Sequence, residues 1–345
     1  MTTYEVLQVE AKTGKVIATL PVTGISYSDA LNAAGSCSVG VPLSAADPVT
    51  LVPGRSALVV LRDGEPEWGG PLWTATADLA AGTLALNASG WHSYYSGRVL
   101  HDGYSRKTDQ ALLLRDWIES CNEDGGIGTD TSQLRTTGKI RNRVWTQYEL
   151  KNVAEAISEL AEDGGFNVRY ETFWASATHI GHRAVMTAGS LFPFVLTHGE
   201  NCNVTQVGYD AAAFATRVYA VGADNGNGTK LVGIADNALG ASVPTKHVVQ
   251  SFSDVKSTTT LIEKAHAIAA AGSTPVAIPT LSLYPDVFST ADFMPGDSGA
   301  VSIDSGYVAV LDDFVVTERR TDIDVNGTEV TALSLANKEL FTSGD

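Results

Sequence analysis

The sequence predicts an α+β protein that is predominantly β, with two related β-barrel domains and an α/β domain between them. Three observations carry this. Short runs rich in Val, Leu and Thr, broken by Gly, Asp or Pro, fill both ends of the 345-residue chain. Two stretches with helical periodicity interrupt them in the middle. One strand-and-turn pattern occurs twice.

The elements follow in order. YEVLQVEA, KVIATLPV, SCSVGVPL, ALVVLRDG, PLWTATADL and TLALNASG read as strands in residues 1–99, and several short strands in succession indicate a barrel or sandwich. Residues 100–198 change texture. DQALLLRDWIESCN places Leu112, Leu113, Trp117, Ile118 and Cys121 on one helical face behind an Asp109 cap. LKNVAEAISELAEDGG predicts a second helix, with Leu150, Val153, Ala154, Ile157, Leu160 and Ala161 at i, i+3, i+4 spacing and a stop at Gly164. FNVRYETFW and HRAVMTA supply a sheet for these helices. Strands return in residues 199–345 with TRVYAVG, KLVGIAD, PTLSLYP, GAVSID, YVAVLDDFVVTERR and TEVTALSLANK, interrupted by an inserted helix at about 256–271.

The repeat lies in the two β regions. Val52-Pro53-Gly54-Arg55-Ser56 leads through a strand to Gly64, a long strand, Gly82-Thr83 and a last strand. Met294-Pro295-Gly296-Asp297-Ser298 leads through a strand to Gly306, a long strand, Gly327-Thr328 and a last strand. Pro at i+1 and Gly at i+2 suit a type II turn, because Pro presets the first φ and Gly supplies the positive second one. Pro53, Gly54, Pro295, Gly296 and Asp297 are therefore expected to be structural turns that launch equivalent strands.

Composition excludes several classes. Hydrophobic residues at 44%, charged residues at 18% and 33 glycines suit a turn-rich folded protein and not a disordered one. The net charge of −16, with 8 basic against 17 acidic side chains in residues 201–345, opposes the clustered Lys and Arg that hold nucleic acid. The N-terminus lacks the uninterrupted apolar core of a signal peptide, and no long apolar run predicts membrane insertion. Cys37, Cys121 and Cys202, odd in number and widely spaced, predict buried thiols and no disulfide framework.

Several motifs resemble chemistry and are weighed against structure. Gly296-Asp297-Ser298-Gly299 spells the surroundings of a trypsin-like nucleophile, but the Ser56 copy of the turn has Arg55 where the acid stands. His92, His247 and His266 also lack the setting of a catalytic base. Ser298 is expected to be structural. Asp322, Asp324 and Asn326 copy half of a calcium loop, yet Leu333 stands where the closing Glu is needed; Asn326-Gly327 reads as a hairpin. His179, His182, His198 and Cys202 are four candidate zinc ligands without a Cys-x-x-Cys knuckle. Gly125-Gly126-Ile127-Gly128 reads as a helix exit, Asp312 and Asp313 as opposite faces of one strand, and Trp91, Tyr94 and Tyr95 as buried aromatics whose exposure would favour a sugar-binding adhesin. No cofactor or metal site is expected.

LRDGEPEWGGPLWTATADLAAGTLALNASGWHSYYSGR, with its Asp-Gly turn, Trp-Gly-Gly, Gly-Thr turn and aromatic stretch ending in Arg, resembles a pattern of tailed-phage minor tail proteins. NCNVTQVGYDAAAFATRVYAVGADN, followed by a helix and the Pro-Gly-Asp turn, resembles the second half of the same proteins. These are the tail-tip or baseplate hub proteins of siphophages, especially those of actinobacteria, similar in fold to the T-even hub. The resemblance implies a structural protein, not an enzyme: a homotrimer whose subunits each carry two tube-type barrels, so that three chains imitate a sixfold ring. It implies a place at the virion's tail tip, after assembly in the host cytoplasm. The implied neighbours are the distal tail protein, the tape measure and tip or fibre proteins, with DNA passing through without specific binding. The chain ends at Asp345 without the appended fibre, needle or hydrolase of longer members, so receptor binding and peptidoglycan cleavage are not expected of it. The alternatives are a serine or metal-dependent hydrolase and a cell-surface sugar-binding adhesin.

Overall fold

The computed structural model describes residues 2–338 except 101–103, 139, 211–213, 238–242, 253–254, 273–275, 285–286 and 289–291. The first β region contains β1 (Tyr4–Glu10), β2 (Val16–Leu20), β3 (Gly24–Ala30), β4 (Ser36–Pro42), β5 (Ser56–Arg62), β6 (Glu65–Asp78) and β7 (Thr83–Ser89). They hydrogen-bond in the order β3-β4-β7-β6-β5-β1-β2 and curl round one core that includes Val6, Tyr27, Val39, Leu58, Trp68 and Leu86. The run Ala57–Leu61 is apolar without alternation because both faces of β5 are covered. Leu58 and Val60 enter that core, whereas Ala57, Val59 and Leu61 pack outward beneath Trp91 and Ile180.

The middle unit comprises β8 (Tyr104–Asp109), α1 (Gln110–Glu123), β9 (Ile140–Trp145), α2 (Val153–Gly164), β10 (Asn167–Ser176) and β11 (His179–Thr187). Asp109 caps α1 by accepting from the Ala111 N–H at 2.9 Å, and its carboxylate also accepts from the Thr137 and Gly138 N–H groups. The buried face of α1 is Leu113, Leu114, Trp117, Ile118 and Cys121, so Leu114 takes the place expected for Leu112, which is half-buried. The spacing from Trp117 back by three and four residues selects Leu113 and Leu114. α2 starts later than the periodicity predicts: Leu150 is 56% exposed with a left-handed φ of 43°, and Asn152 accepts from the Glu155 N–H to cap the first turn. The two helices and β10 and β11 share a core of Leu113, Trp117, Val153, Ile157, Val168 and Ala184.

The last region contains β12 (Leu196–Thr197), β13 (Cys202–Asp210), β14 (Arg217–Asp224), β15 (Lys230–Asp236), β16 (His247–Ser251), α3 (Thr258–Ala271), β17 (Val276–Leu283), β18 (Ser298–Ser305), β19 (Val308–Ile323) and β20 (Glu329–Asn337). TRVYAVG and KLVGIAD, expected in the second barrel, form a separate sheet ordered β15-β14-β16. Val218, Ala220 and Ala235 on that sheet pack against Leu261, Ala265 and Ala269 of α3, so the insertion is a small α/β unit with its own core and not a lone helix. Ala211–Ala213, within the segment that resembles the tail proteins, lie outside the described residues.

With the insertion set aside, the second module is β13-β17-β20-β19-β18, the same order and antiparallel sense as β3-β4-β7-β6-β5. Its core includes Leu281, Phe293, Val301, Phe314, Leu333 and Leu335. The modules are continuous. β19 runs twice the length of β18, and its far half finds β3, pairing Glu318 with Ala30 through Ile323 with Ile25. One 13-stranded sheet therefore spans both.

Candidate functional site

The repeat is visible at the level of single hydrogen bonds. At the first turn the Arg55 N–H donates to the Val52 carbonyl at 3.0 Å and Gly54 has φ 79°. At the second, the Asp297 N–H donates to the Met294 carbonyl at 2.9 Å and Gly296 has φ 98°. Each turn glycine then donates its own N–H, at 2.8 Å, across to the long strand of its module: Gly54 to Leu72 and Gly296 to Val316. One residue beyond each acceptor the long strand carries a β-bulge, between Leu72 and Thr74 in β6 and between Val316 and Glu318 in β19. Bulges bend a strand and increase its local twist, so matched bulges give the two modules the same bend at the same place.

The second turn is tied into its surroundings more tightly than the first. Pro295 and Gly296 are buried, and a side chain at Gly296 would meet the Asn167 amide at 2.5 Å. The Asp297 carboxylate accepts from the Met294 N–H at 2.9 Å and from the Ser190 N–H at 2.7 Å, clamping the chain entering β12 onto the turn. The Ser298 N–H donates to the Ser190 carbonyl at 2.8 Å, and a Cβ at Gly299 would strike the Phe192 ring at 2.1 Å. All four residues of the protease-like tetrapeptide thus have packing or hydrogen-bonding roles. The first turn is exposed at Pro53, Gly54 and Arg55, with open space around Gly54.

The modules meet at β3 and β19. Arg319, one of the largest fully buried side chains, lies opposite Asp29 in the ladder and reaches its carboxylate at 2.7 Å and that of Glu67 at 3.1 Å. Burial by itself would lower the guanidinium pKa; Asp29 and then Glu67 outweigh it and hold it above the usual value. Burial, with Glu67 next, raises the nearby Tyr27 phenol. The Trp68 indole N–H donates to the Ser28 carbonyl at 3.1 Å. A second tie joins Arg62 of β5 to Glu329 of β20 at 3.4 Å, with the Tyr4 hydroxyl donating to the same carboxylate. Sequence periodicity missed Arg319: an Arg at an inward position of an alternating strand was the signal, and its partners lie about 290 and 250 residues away in the chain.

The other candidate residues separate. His182 is buried, stacked on Trp91 with ring centroids 4.0 Å apart, and hydrogen-bonded to the Thr129 hydroxyl at 2.9 Å, which in turn lies 2.7 Å from the Tyr95 hydroxyl. His179 bonds to Thr178 within its own hairpin. His198 Nδ1 accepts from the Val204 N–H, and Cys202 is a free buried thiol pushed up to about 11 by burial. Among the described residues no three His, Cys, Asp or Glu side chains are grouped to hold a metal. Asp324 accepts from the Asn326 and Thr328 N–H groups and Gly327 has φ 79°, a hairpin turn. Trp91 and Tyr95 are buried and Tyr94 is half-buried, so they present no exposed aromatic patch. Cys37 and Cys121 are also free and buried. Gly125 and Gly128 carry positive φ just after α1. Among the described residues no helix is long and apolar enough to cross a membrane.

No sequence-family model matches the chain and no curated protein does. Solved structures do match. A tail protein from Neisseria meningitidis superposes with TM-score 0.65 at 13% identity, covering 99% of this chain and 98% of that one. A prophage MuSo2 tail protein from Shewanella oneidensis gives TM-score 0.65 at 12% identity over 98% and 99%. A component of the E. coli type VI secretion system, itself similar in structure to the T4 tail proteins gp27 and gp5, gives TM-score 0.50 at 10% identity over 92% and 74%. The chain therefore has the fold of phage tail proteins. That fold, α+β and predominantly β, is shared with the type VI secretion component as well.

Proposed function

We propose that the chain is a structural, non-enzymatic hub at the tail tip of a tailed phage. The observation that carries this reading is the duplication: five strands, a Pro-Gly turn and a bulge occur twice in one sheet. Three such chains would present six similar modules, which suits a threefold body abutting a sixfold tube. In this reading residues 1–99 and 199–345 supply the tube modules and residues 100–198 buttress them from outside. The homotrimer would sit between the distal tail protein, the tape measure and the tip or fibre proteins in the virion, having assembled in the host cytoplasm. DNA would pass along a channel lined by the modules, and the net charge of −16 would keep it from adhering.

Native mass measurement tests the assembly. Three chain masses are expected, and a strict monomer at every concentration, alone and with neighbouring tail proteins, would refute it. The hydrolase alternative predicts fluorophosphonate labelling of Ser298 or bound metal in stoichiometric amount; the hub reading expects neither.

A further inference from the structure

The two modules are equivalent, but their sheet edges are not equally used. β19 pairs with β18, with β20 and, along residues 318–323, with β3. Its counterpart β6 pairs with β5 and β7, and among the described residues the outer edge of its far half, Thr74–Asp78, has no ladder partner. On the complementary edge the chain itself takes up Cys202 and Val204, through Gly199 and His198, and among the described residues Gln206–Tyr209 has no ladder partner on that side. β3 pairs with β4 and β19, whereas its counterpart β13 pairs with β17 and ends the sheet.

The observed registers say how these two edges would meet. The bulges equate Trp73 with Thr317, and so Ala75, Thr76, Ala77 and Asp78 with Arg319, Arg320, Thr321 and Asp322. The row Ser26, Ser38, Asn87 across β3, β4 and β7 matches the row Gln206, Thr280, Ser334 across β13, β17 and β20. Tyr27, Ser28 and Asp29 then correspond to Val207, Gly208 and Tyr209. Within the chain Arg319, Arg320, Thr321 and Asp322 face Asp29, Ser28, Tyr27 and Ser26.

We propose that the partner of the β6 edge is the β13 edge of a second copy of this chain, antiparallel, with Ala75 opposite Tyr209, Thr76 opposite Gly208, Ala77 opposite Val207 and Asp78 opposite Gln206. The proposal rests on the trimeric reading and specifies its contact: the junction inside each chain recurs between chains, so that alternating junctions close a ring.

Further features of this surface agree. Edge strands are usually guarded by charge, yet here charge stands only at the ends of the two stretches, at Asp78 and Asp210, and Thr74–Ala77 and Val204–Tyr209 carry none in a chain with 23 basic and 39 acidic side chains. Trp73 and Tyr209 are 43% and 45% exposed. Beside the β6 edge lies an open apolar groove of about 430 Å³ lined by Leu43, Leu51, Val52, Pro53, Ala75 and Leu84. It adjoins the exposed Pro53-Gly54 turn, whose buried twin Pro295-Gly296 is covered by Asn167 and the Leu31 side chain at the internal junction. The chemistry also differs in a useful way. The internal junction buries the Arg319 ion pairs, made once on folding, whereas Ala75 and Tyr209 can meet without stripping water from charges.

The test places Ala77→Cys and Val207→Cys in one full-length chain. Six strands separate β6 from β13 within a chain, so a disulfide between these positions links copies. Directly opposed antiparallel residues lie within disulfide reach. Mild oxidation is expected to give a denaturation-resistant ladder ending at three chains. The pair Ala77→Cys with Tyr209→Cys, shifted by two residues, should link several-fold less. Ala77→Lys, an exposed change, should leave thermal unfolding unaltered and abolish the threefold mass. A threefold native mass with no preferential link at 77 and 207, or one that survives Ala77→Lys, overturns this edge and leaves the trimer standing. A monomer that never links overturns both.

Discussion

At the residue scale, Asp297 carries the role that a catalytic reading would hand to Ser298. Its two carboxylate bonds hold Ser190 and Met294 in place. Asp297→Ala leaves both N–H groups without this acceptor and should cost roughly 1–3 kcal/mol in urea unfolding. Ser298→Ala removes no hydrogen bond of this clamp and should cost much less. Arg319→Met is the sharper change: it strands Asp29 and Glu67 beside an apolar stem, with an expected loss of about 3–5 kcal/mol. His182 supplies a pH dependence. Burial pushes its pKa down to about 3 from 6.5, and that of His92 down to about 4. Both are neutral in the folded chain, and the unfolded chain takes up their protons first. Their contribution to stability is therefore complete above pH 6.5 and falls as the pH drops through 6.5 towards 3. His182→Phe should flatten the acid limb of a stability-against-pH curve while weakening the protein modestly at pH 7 through loss of the Thr129 bond.

At the element scale, turns were more legible than helix boundaries. Gly54, Gly64 and Gly82 and their counterparts Gly296, Gly306 and Gly327 all have positive φ, a backbone demand that only a few residue types meet, and so it is written in the sequence. The start of α2 was not, because Leu150 fits the helical period but lies beyond the Asn152 cap. The β14–α3 insertion was misread for a related reason: its strands look like any others, and only packing against α3 separates them from the main sheet. In the first module the corresponding link, between β3 and β4, is residues 31–35. Replacing residues 211–275 by that short loop should leave a folded second module, with amide protection retained in β18, β19 and β20. Loss of protection there would show that the insertion is needed to fold the module.

At the scale of the whole molecule, the β3–β19 pairing makes the two modules one sheet, and they should unfold in one transition. Hydrogen exchange checks this: protection of β3 and of residues 318–323 should collapse together in denaturant, and Arg319→Met should split or broaden the transition. The charge supports a second expectation, that the protein does not retard duplex DNA at physiological salt. The sequence by itself determined the predominantly β class, the helices between β regions, the twin turns and the acidic character, because these rest on local backbone demands, periodicity and composition. Only the tertiary structure decided that the two modules share a sheet, that Arg319 bridges them, and which strand edges lack a ladder partner among the described residues. Those features depend on residues hundreds of positions apart, and a strand carries no local mark of the partner that its edge will find.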